Sequence, residues 1–461
     1  MAVFLRAHRE ARPLTEREAE VYVASTCFKT GPPGPVGVEV ERLVHDSRGP
    51  AIPVPAPTVQ AAVAALPDPL PHGGRISLEP GGQVELSSRC APDLPRLLDA
   101  VRADLRTLDT ALAAAGLRPG LAAMDGHRPP RRTLDLPRYA AMQHCFDRSG
   151  PAGRTMMCST ASLQVCVDAG LDDGGRQGVA ARWRRLHALA PVLVAMFANS
   201  PFSNGRPVGW ASGRQAQWLR IDPSRTAAPR PAAEPRDAWT DYALDARLLC
   251  VRSPDGAWDA PRGLTMRGWL RCDGPRAATL DDLAYHLTTL FPPVRPRGFL
   301  ELRVVDAQPG DGWAVATAVV TALLEDDRAA DAADAACAAL VGNPDAMTLA
   351  ARRALAEPEL ATAAQACVEA ALDALPRLGA DLPTRSAVSR FAERYTSRAR
   401  CPADDLLDHL RRTGVVDGVP RSSALGSIAP GASAPSATAL GTTVLDVDAV
   451  DVPEQRRRPP T

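Results

Sequence analysis

Glutamates recur at alternate positions in this chain, each time beside valines or leucines. In VGVEVE, residues 36–41, Glu39 and Glu41 alternate with Val36, Val38 and Val40. Successive side chains of a strand point to opposite faces, so both carboxylates share a face with Gly37. In RISLEPGGQVELSS, Val84 and Leu86 alternate with Gln83, Glu85 and Ser87, and Glu79 precedes the Gly81–Gly82 turn. In SLQVCVD, Leu163, Val165 and Val167 alternate with Gln164, Cys166 and Asp168. In FLELRVVD, Leu300, Leu302 and Val304 alternate with Glu301 and Arg303. Four strands are thus expected, each with one apolar and one polar face. Adjacent carboxylates repel, and on a half-buried sheet the repulsion is poorly screened. The polar face is therefore either open to water or carries something positive. Exposure to water accounts for any one strand alone. Several converging strands instead suit Mg2+ or Mn2+, which take oxygen ligands, and clustered divalent ions point to chemistry on a nucleotide phosphate.

The segments between these strands read as helices. Leu94, Leu97, Leu98, Val101, Leu105, Leu108 and Leu112 recur at helical steps, as do Val179, Trp183, Leu186, Val192, Leu193 and Met196. From about Trp313 to Leu410 the chain is alanine-rich, with an amphipathic helical pattern. Strands without regular βαβ alternation, together with helices, predict an α+β fold: an antiparallel sheet whose apolar face is covered by helices and whose polar face lines a cavity.

Composition narrows the function. The chain has 461 residues with 53 basic and 53 acidic side chains, so a nucleic-acid partner is not expected. Lys29 is the sole lysine, so any phosphate must be held by arginine, metal or backbone. No uncharged apolar window of about 18 residues predicts a membrane span. The charged N-terminal stretch lacks the apolar core of a signal peptide, and a cytoplasmic location is expected. Ten cysteines without a C-x-x-C pair read as buried free thiols, neither a disulfide framework nor a zinc site. Residues 1–13 are expected to be a flexible N-terminus and 14–413 one domain, helical from about 311. The Ala/Ser/Pro-rich residues 414–461 are expected to be disordered.

VGVEVE, SLEPGGQVELSS, TMMCSTASLQVCVD, MFANSPFSNGRPVGWASGRQAQWLRIDPSR, DYALD and HLTTLFPPVRPRGFLELRVVD occur in the order seen in the plant and bacterial glutamate–cysteine ligases. The chain most resembles the actinobacterial branch that begins ergothioneine biosynthesis. The likeness covers residues 30–310 strongly and those to about 411 more loosely. It implies a glutamine-synthetase-like curved antiparallel sheet whose concave face binds ATP and Mg2+ (or Mn2+). The reaction it implies joins L-glutamate to L-cysteine. ATP phosphorylates the glutamate side chain, and the cysteine amine displaces phosphate to give γ-glutamylcysteine. By position, the resemblance assigns metal binding to Glu39, Glu41, Glu79, Glu85 and Glu301, and metal or nucleotide contact to Gln164. Arg303, with Glu301, falls where the phosphoryl group transfers. Arg138, Arg214 and Trp218 fall on glutamate-binding positions, and Tyr242 near the cysteine side.

Some positions depart from the family pattern. Gln143 replaces a basic residue, and Ser159 and Cys166 replace an arginine and an asparagine of the plant-type motif. These bear on the amino-acid pocket rather than on the metal face. His286 and Arg297 match the pattern, but sequence gives neither a chemical step. Two alternatives stay open: a related carboxylate–amine ligase with another acceptor, and a non-catalytic nucleotide-binding homologue.

Overall fold

The computed structural model describes residues 12–230, 234–254 and 256–416, all within one compact unit. Nearly all of the N-terminal segment and tail set apart in the sequence lies outside these residues. Among the described residues the chain is α+β. Its main sheet has six strands: β1 (Val36–Arg42), β2 (Arg75–Leu78), β3 (Val84–Ser87), β4 (Ser162–Val167), β5 (Val294–Pro296) and β6 (Leu300–Asp306). Their spatial order is β2-β3-β1-β4-β6-β5, and every pairing is antiparallel. Sequence alternation anticipated β1, β3, β4 and β6. It missed β2 and β5, the short edge strands, where too few residues alternate to give a signal.

The apolar face is closed as expected. Val36, Val38, Val40, Val84, Leu86, Leu163, Val165, Val167, Leu300 and Leu302 are all buried in one core. Helices α1 (Leu94–Ala114), α2 (Val179–Phe197) and α3 (Gly312–Glu325) pack against these strands. Full burial of each such aliphatic side chain contributes roughly 1.5–3 kcal/mol. One expectation needs correction: α3 is not amphipathic. Every residue from Trp313 to Leu324 is buried, because α3 runs between the sheet and the outer helices Asp327–Cys337, Pro358–Ala374 and Leu382–Arg394. A helix apolar on all sides belongs inside a protein.

Strict alternation also fails in β6. Its register against β4 shifts between Leu302 and Val305, so Leu302 pairs with Val165 and Val305 with Leu163. The extra residue returns Val305 to the apolar side and leaves Asp306 opposite Ser162. Strict alternation would have placed Val305 among the carboxylates.

The cysteines divide. Cys27, Cys158, Cys250, Cys337, Cys367 and Cys401 are buried free thiols, Cys145 and Cys166 are half-buried, and Cys90 and Cys272 are exposed. No helix among the described residues is long and apolar enough to cross a membrane.

A second, smaller core stands beside the polar face. It groups Ala141, Met142, Phe146, Met156, Met157, Ile221 and Leu249, with Tyr139, Trp218, Tyr285 and Phe291 packed on it. The turn after β2 docks here: Gln83 Nε2 donates to the carbonyls of Met157 (3.2 Å) and Thr160 (2.8 Å). Gly81 lies so close to this wall that a Cβ would fall 2.1 Å from the Cys158 carbonyl oxygen. Gly81→Ala is therefore expected to cost roughly 1–3 kcal/mol of stability. Thermal unfolding checks this, and an unchanged midpoint would show that the turn moves away from Cys158 without cost.

Candidate active site

The pairing register assembles the polar face. Glu39 stands opposite Ser87 on one side and Gln164 on the other, while Glu41 faces Glu85 directly. Ser77 lies beyond Glu85. Cys166 lies between Gly37 and Glu301, and Arg295 of β5 stands opposite Glu301. Glu39, Glu41 and Glu85 therefore occupy β1 and β3, while on β6 and β5 Glu301 stands among Arg295 and Arg303.

Hydrogen bonds join the halves. Glu41 accepts from the Ser162 amide (2.7 Å) and from Gln164 Nε2 (3.1 Å). The other end of that amide, Gln164 Oε1, accepts from Arg303 Nη1. Arg303 is 3.3 Å from Glu301, and Arg295 closes a two-pronged clamp on Glu301 at 2.5 and 3.0 Å. Glu85 accepts from Ser77 Oγ and Ser87 Oγ.

The electrostatics follow this division. Burial, then the neighbouring charge of Glu301, raises the Glu39 pKa to about 7 against the pull of Arg297, Arg295 and Arg303. Glu79 is raised to about 7 by burial and by Glu41 and Glu39. Glu85 is pushed well above the carboxylate range by burial and by Glu39, Glu79 and Glu41. Glu301 goes the other way. Burial opposes its charge, but the guanidiniums of Arg295, Arg303 and Arg297 outweigh it and hold the group strongly acidic. The Cys166 thiol, buried beside Glu39 and Glu301, is held well above its ordinary range and stays neutral.

This donor set fits a hard divalent ion in chemistry and in charge. Among the described residues, no group of three or more His, Cys, Asp or Glu side chains forms a ready-made metal cage. What the sheet supplies is buried carboxylate oxygen in electrostatic excess. Mg2+ is typically bound through one or two carboxylates, its shell completed by substrate phosphates and water.

The amino-acid-binding candidates meet different outcomes. Arg138 lies on the helix Pro137–Asp147, where its charge acts on Glu79. It donates to the Thr288 hydroxyl (2.9 Å) and carbonyl (3.0 Å), and its guanidinium sits 5.2 Å from the Tyr285 ring. The Trp218 ring is 5.6 Å from Phe291, and the Phe291 ring lies 5.8 Å from the Arg303 guanidinium. Arg138 and Trp218 therefore border the face.

The side chains of Arg214 and Tyr242 are engaged within the protein. The Arg214 side chain is 3% exposed and lies 3.6 Å from Asp306. Its donors go to the Arg303 and Val304 carbonyls of β6, and its charge interacts with those of Asp306, Glu41 and Arg303. Asp306 is fixed in turn by the Asn199 amide and the Ser200 and Ser212 hydroxyls. Tyr242 stacks on Trp239 at 5.2 Å, its hydroxyl buried without a hydrogen-bond partner, and the charges that act on it are Arg225 and Asp222. His286 is buried: burial lowers its pKa to about 4, and Nε2 is 2.8 Å from the Ala243 carbonyl.

Sequence reading missed Arg295 and Ser77, and gave Ser87 no role beyond its place on the polar face. A signal for Arg295 existed. Arg297 and Phe299 flank Gly298, so a tight hairpin there sets Arg295 against Glu301. Gly298 has φ +83°, the left-handed conformation that glycine tolerates at such a turn.

With the site in view, the comparisons decide the family. Residues 35–427 match the model of glutamate-cysteine ligase family 2. The chain belongs to this family. It is 38% identical over 415 residues to the glutamate–cysteine ligase EgtA of Mycobacterium tuberculosis, covering 87% of this chain and 92% of that protein. To the EgtA of Mycolicibacterium smegmatis it is 37% identical, covering 89% and 95%. A chloroplastic glutamate–cysteine ligase of Arabidopsis thaliana is 32% identical over 55% of this chain and 49% of that one. In fold, the family 2 chain is similar to the crystal structure of a Francisella tularensis glutamate–cysteine ligase in complex with AMP. The TM-score is 0.50 at 10% identity, covering 84% of this chain and 86% of that one.

The raised carboxyl groups set a pH dependence. Glu39 and Glu79 bind protons more tightly in the folded chain (about 7) than in the unfolded one (about 4.5). The native state then holds more protons, and stability falls as pH rises through that window. For protein without metal or nucleotide, the loss between pH 5 and 7.5 is expected to be on the order of 1–3 kcal/mol. Urea unfolding across that range measures it, and Glu79→Gln should flatten the slope. Stability rising with pH in this window would show that the carboxylates are already compensated.

Proposed function

We propose that this chain is an ATP-dependent glutamate–cysteine ligase that makes γ-glutamylcysteine. The observation that carries the reading is the divided face, with Glu39, Glu41, Glu79 and Glu85 on one half and Arg295, Arg303 and clamped Glu301 on the other. Kinship to EgtA proteins over most of the chain supports it. The sheet is proposed to be the curved, glutamine-synthetase-like kind, with ATP and the amino acids on its polar side. Residues 14–413 are proposed as one catalytic domain, acting in the cytoplasm at the entry to ergothioneine synthesis.

The γ-carboxylate of L-glutamate attacks the γ-phosphorus of ATP, forming γ-glutamyl phosphate and releasing ADP. The amine of L-cysteine then attacks the acyl carbon. The carbon–oxygen bond to phosphate breaks, and the amine proton passes to the departing phosphate or to a carboxylate. Glu39, Glu41, Glu79 and Glu85 would hold Mg2+, with Glu301 at the arginine side; when bound, the ion neutralises phosphate oxygens and orients the polyphosphate. Arg303 faces the same surface and contributes a fixed positive charge toward the transferring phosphoryl group. Gln164 holds Arg303 and Glu41 at a constant separation, so neither reorganises as charge moves. Arg138 and Trp218 are proposed to orient glutamate, Arg138 by pairing with its α-carboxylate.

Incubation with ATP, Mg2+ and L-glutamate, offering each amino acid as acceptor and reading products by mass, tests the assignment. γ-Glutamylcysteine is expected only when cysteine and ATP are both present. A product with another acceptor would keep the ligase chemistry and overturn the specificity. Glu39→Gln is expected to lower turnover at least about 100-fold, and an unchanged rate would remove Glu39 from the site.

A further inference from the structure

The β5–β6 hairpin puts two arginines beside Glu301, and their settings differ. Arg295 is a closed clamp: its side chain is 9% exposed and both prongs bond Glu301. Arg297 touches Glu301 at 3.4 Å and also reaches Glu39 at 3.8 Å, yet its side chain is 43% exposed. Glu39 and Glu301 lie on β1 and β6, with β4 between them, so Arg297 spans the neutral middle strand. Its backbone is pinned by the turn, where the Arg297 amide donates to the Phe299 carbonyl at 2.8 Å. The contacts are looser than those of Arg295, and the open side leaves room for the guanidinium to swing away.

Both Glu301 oxygens are already bonded by the Arg295 clamp, whereas on Glu39 a divalent ion would compete with Arg297 for the carboxylate. We propose that Arg297 is an internal counter-cation for Glu39, which a divalent ion must displace in order to bind there. This rests on the reading that Glu39 helps hold the metal. Arg297 keeps the two carboxylates tolerable to each other within the fold, and on displacement it returns a free positive charge to the side where an anionic nucleotide arrives. Metal binding without nucleotide is thereby opposed, and metal binding with nucleotide is relatively favoured. The residue acts as a positioning and gating charge rather than as part of the bond-making machinery.

Mn2+ titration of the nucleotide-free protein, with the free ion read by electron paramagnetic resonance, tests this. Arg297→Gln is expected to bind Mn2+ roughly tenfold more tightly than wild type, since the charge that competes for Glu39 has been removed. Arg297→Lys, which keeps the charge, should stay near wild type. Arg75→Gln controls for general loss of positive charge: Arg75 is 71% exposed at the sheet edge, 3.9 Å from Asp68. Arg297→Ala repeats the measurement should the glutamine variant not give a wild-type circular dichroism spectrum. The proposal is overturned if removal of Arg297 tightens Mn2+ binding no more than Arg75→Gln does, or weakens it. It is also overturned if neither wild type nor variant binds the ion. Because the titration needs no turnover, a chain that shows this pattern without making γ-glutamylcysteine would keep the inference and lose the ligase assignment.

Discussion

Glu41 and Glu85 face each other across an antiparallel pair of strands, and much of the molecule can be understood as the means of keeping them there. Directly opposed residues bring their Cβ atoms to about 4.5–5.5 Å. Two charges at that distance repel by about 3 kcal/mol even at an effective dielectric constant near 20. Glu39 and Glu79 add to the same field. Left alone, such strands would slip or splay. A slip of a single residue would, however, turn Val36, Val38 and Val40 out of the core, and each side chain lost from it costs comparable free energy. The apolar face therefore fixes the register, and the register places the acids.

Local bonding refines what the core imposes. Glu41 is held by the Ser162 amide and Gln164, and Glu85 by Ser77 and Ser87, so the oxygens are aimed although their charge is not cancelled. On the other half, Arg214 grips the β6 backbone next to the bulge and is balanced by Asp306. The shift at the bulge and the Arg214 brace act on neighbouring residues of one strand. Together they fix where Arg303 emerges on the polar side.

The acidic half of the site was legible because alternation is local: a strand with valines on one face must show its glutamates on the other. The basic half was less so. Arg295 acquires meaning only through pairing across a turn, and its strand, Val294–Pro296, is too short to announce itself. The bulge in β6 leaves no mark in a run of LELRVV. Arg214 and Tyr242 were assigned through motif likeness, and motif position says nothing of which way a side chain points. Arg214 donates to the β6 carbonyls of Arg303 and Val304, and Tyr242 stacks on Trp239. The helix at Gly312–Glu325 was misread for a related reason. Alanines at its apparent polar positions tolerate both solvent and core, so the sequence pattern could not tell an inside helix from an outside one.

The middle strand completes the logic of the face. Between the acids of β1 and the arginines of β6, β4 presents Gln164 and Cys166, neither of them charged. Had β4 carried an arginine, it would neutralise the acids internally and leave nothing to attract a divalent ion. Had it carried another acid, the clamp of Arg295 and Arg303 on Glu301 would be drawn toward it. A neutral strip keeps Glu41 and Arg303 from pairing directly, with Gln164 bridging them and transmitting position but not charge. That standing separation is what a polyphosphate requires. Acids alone would repel it and arginines alone would hold it without a metal; the two together, held apart, suit the proposed binding of a metal on one side and phosphoryl oxygens on the other.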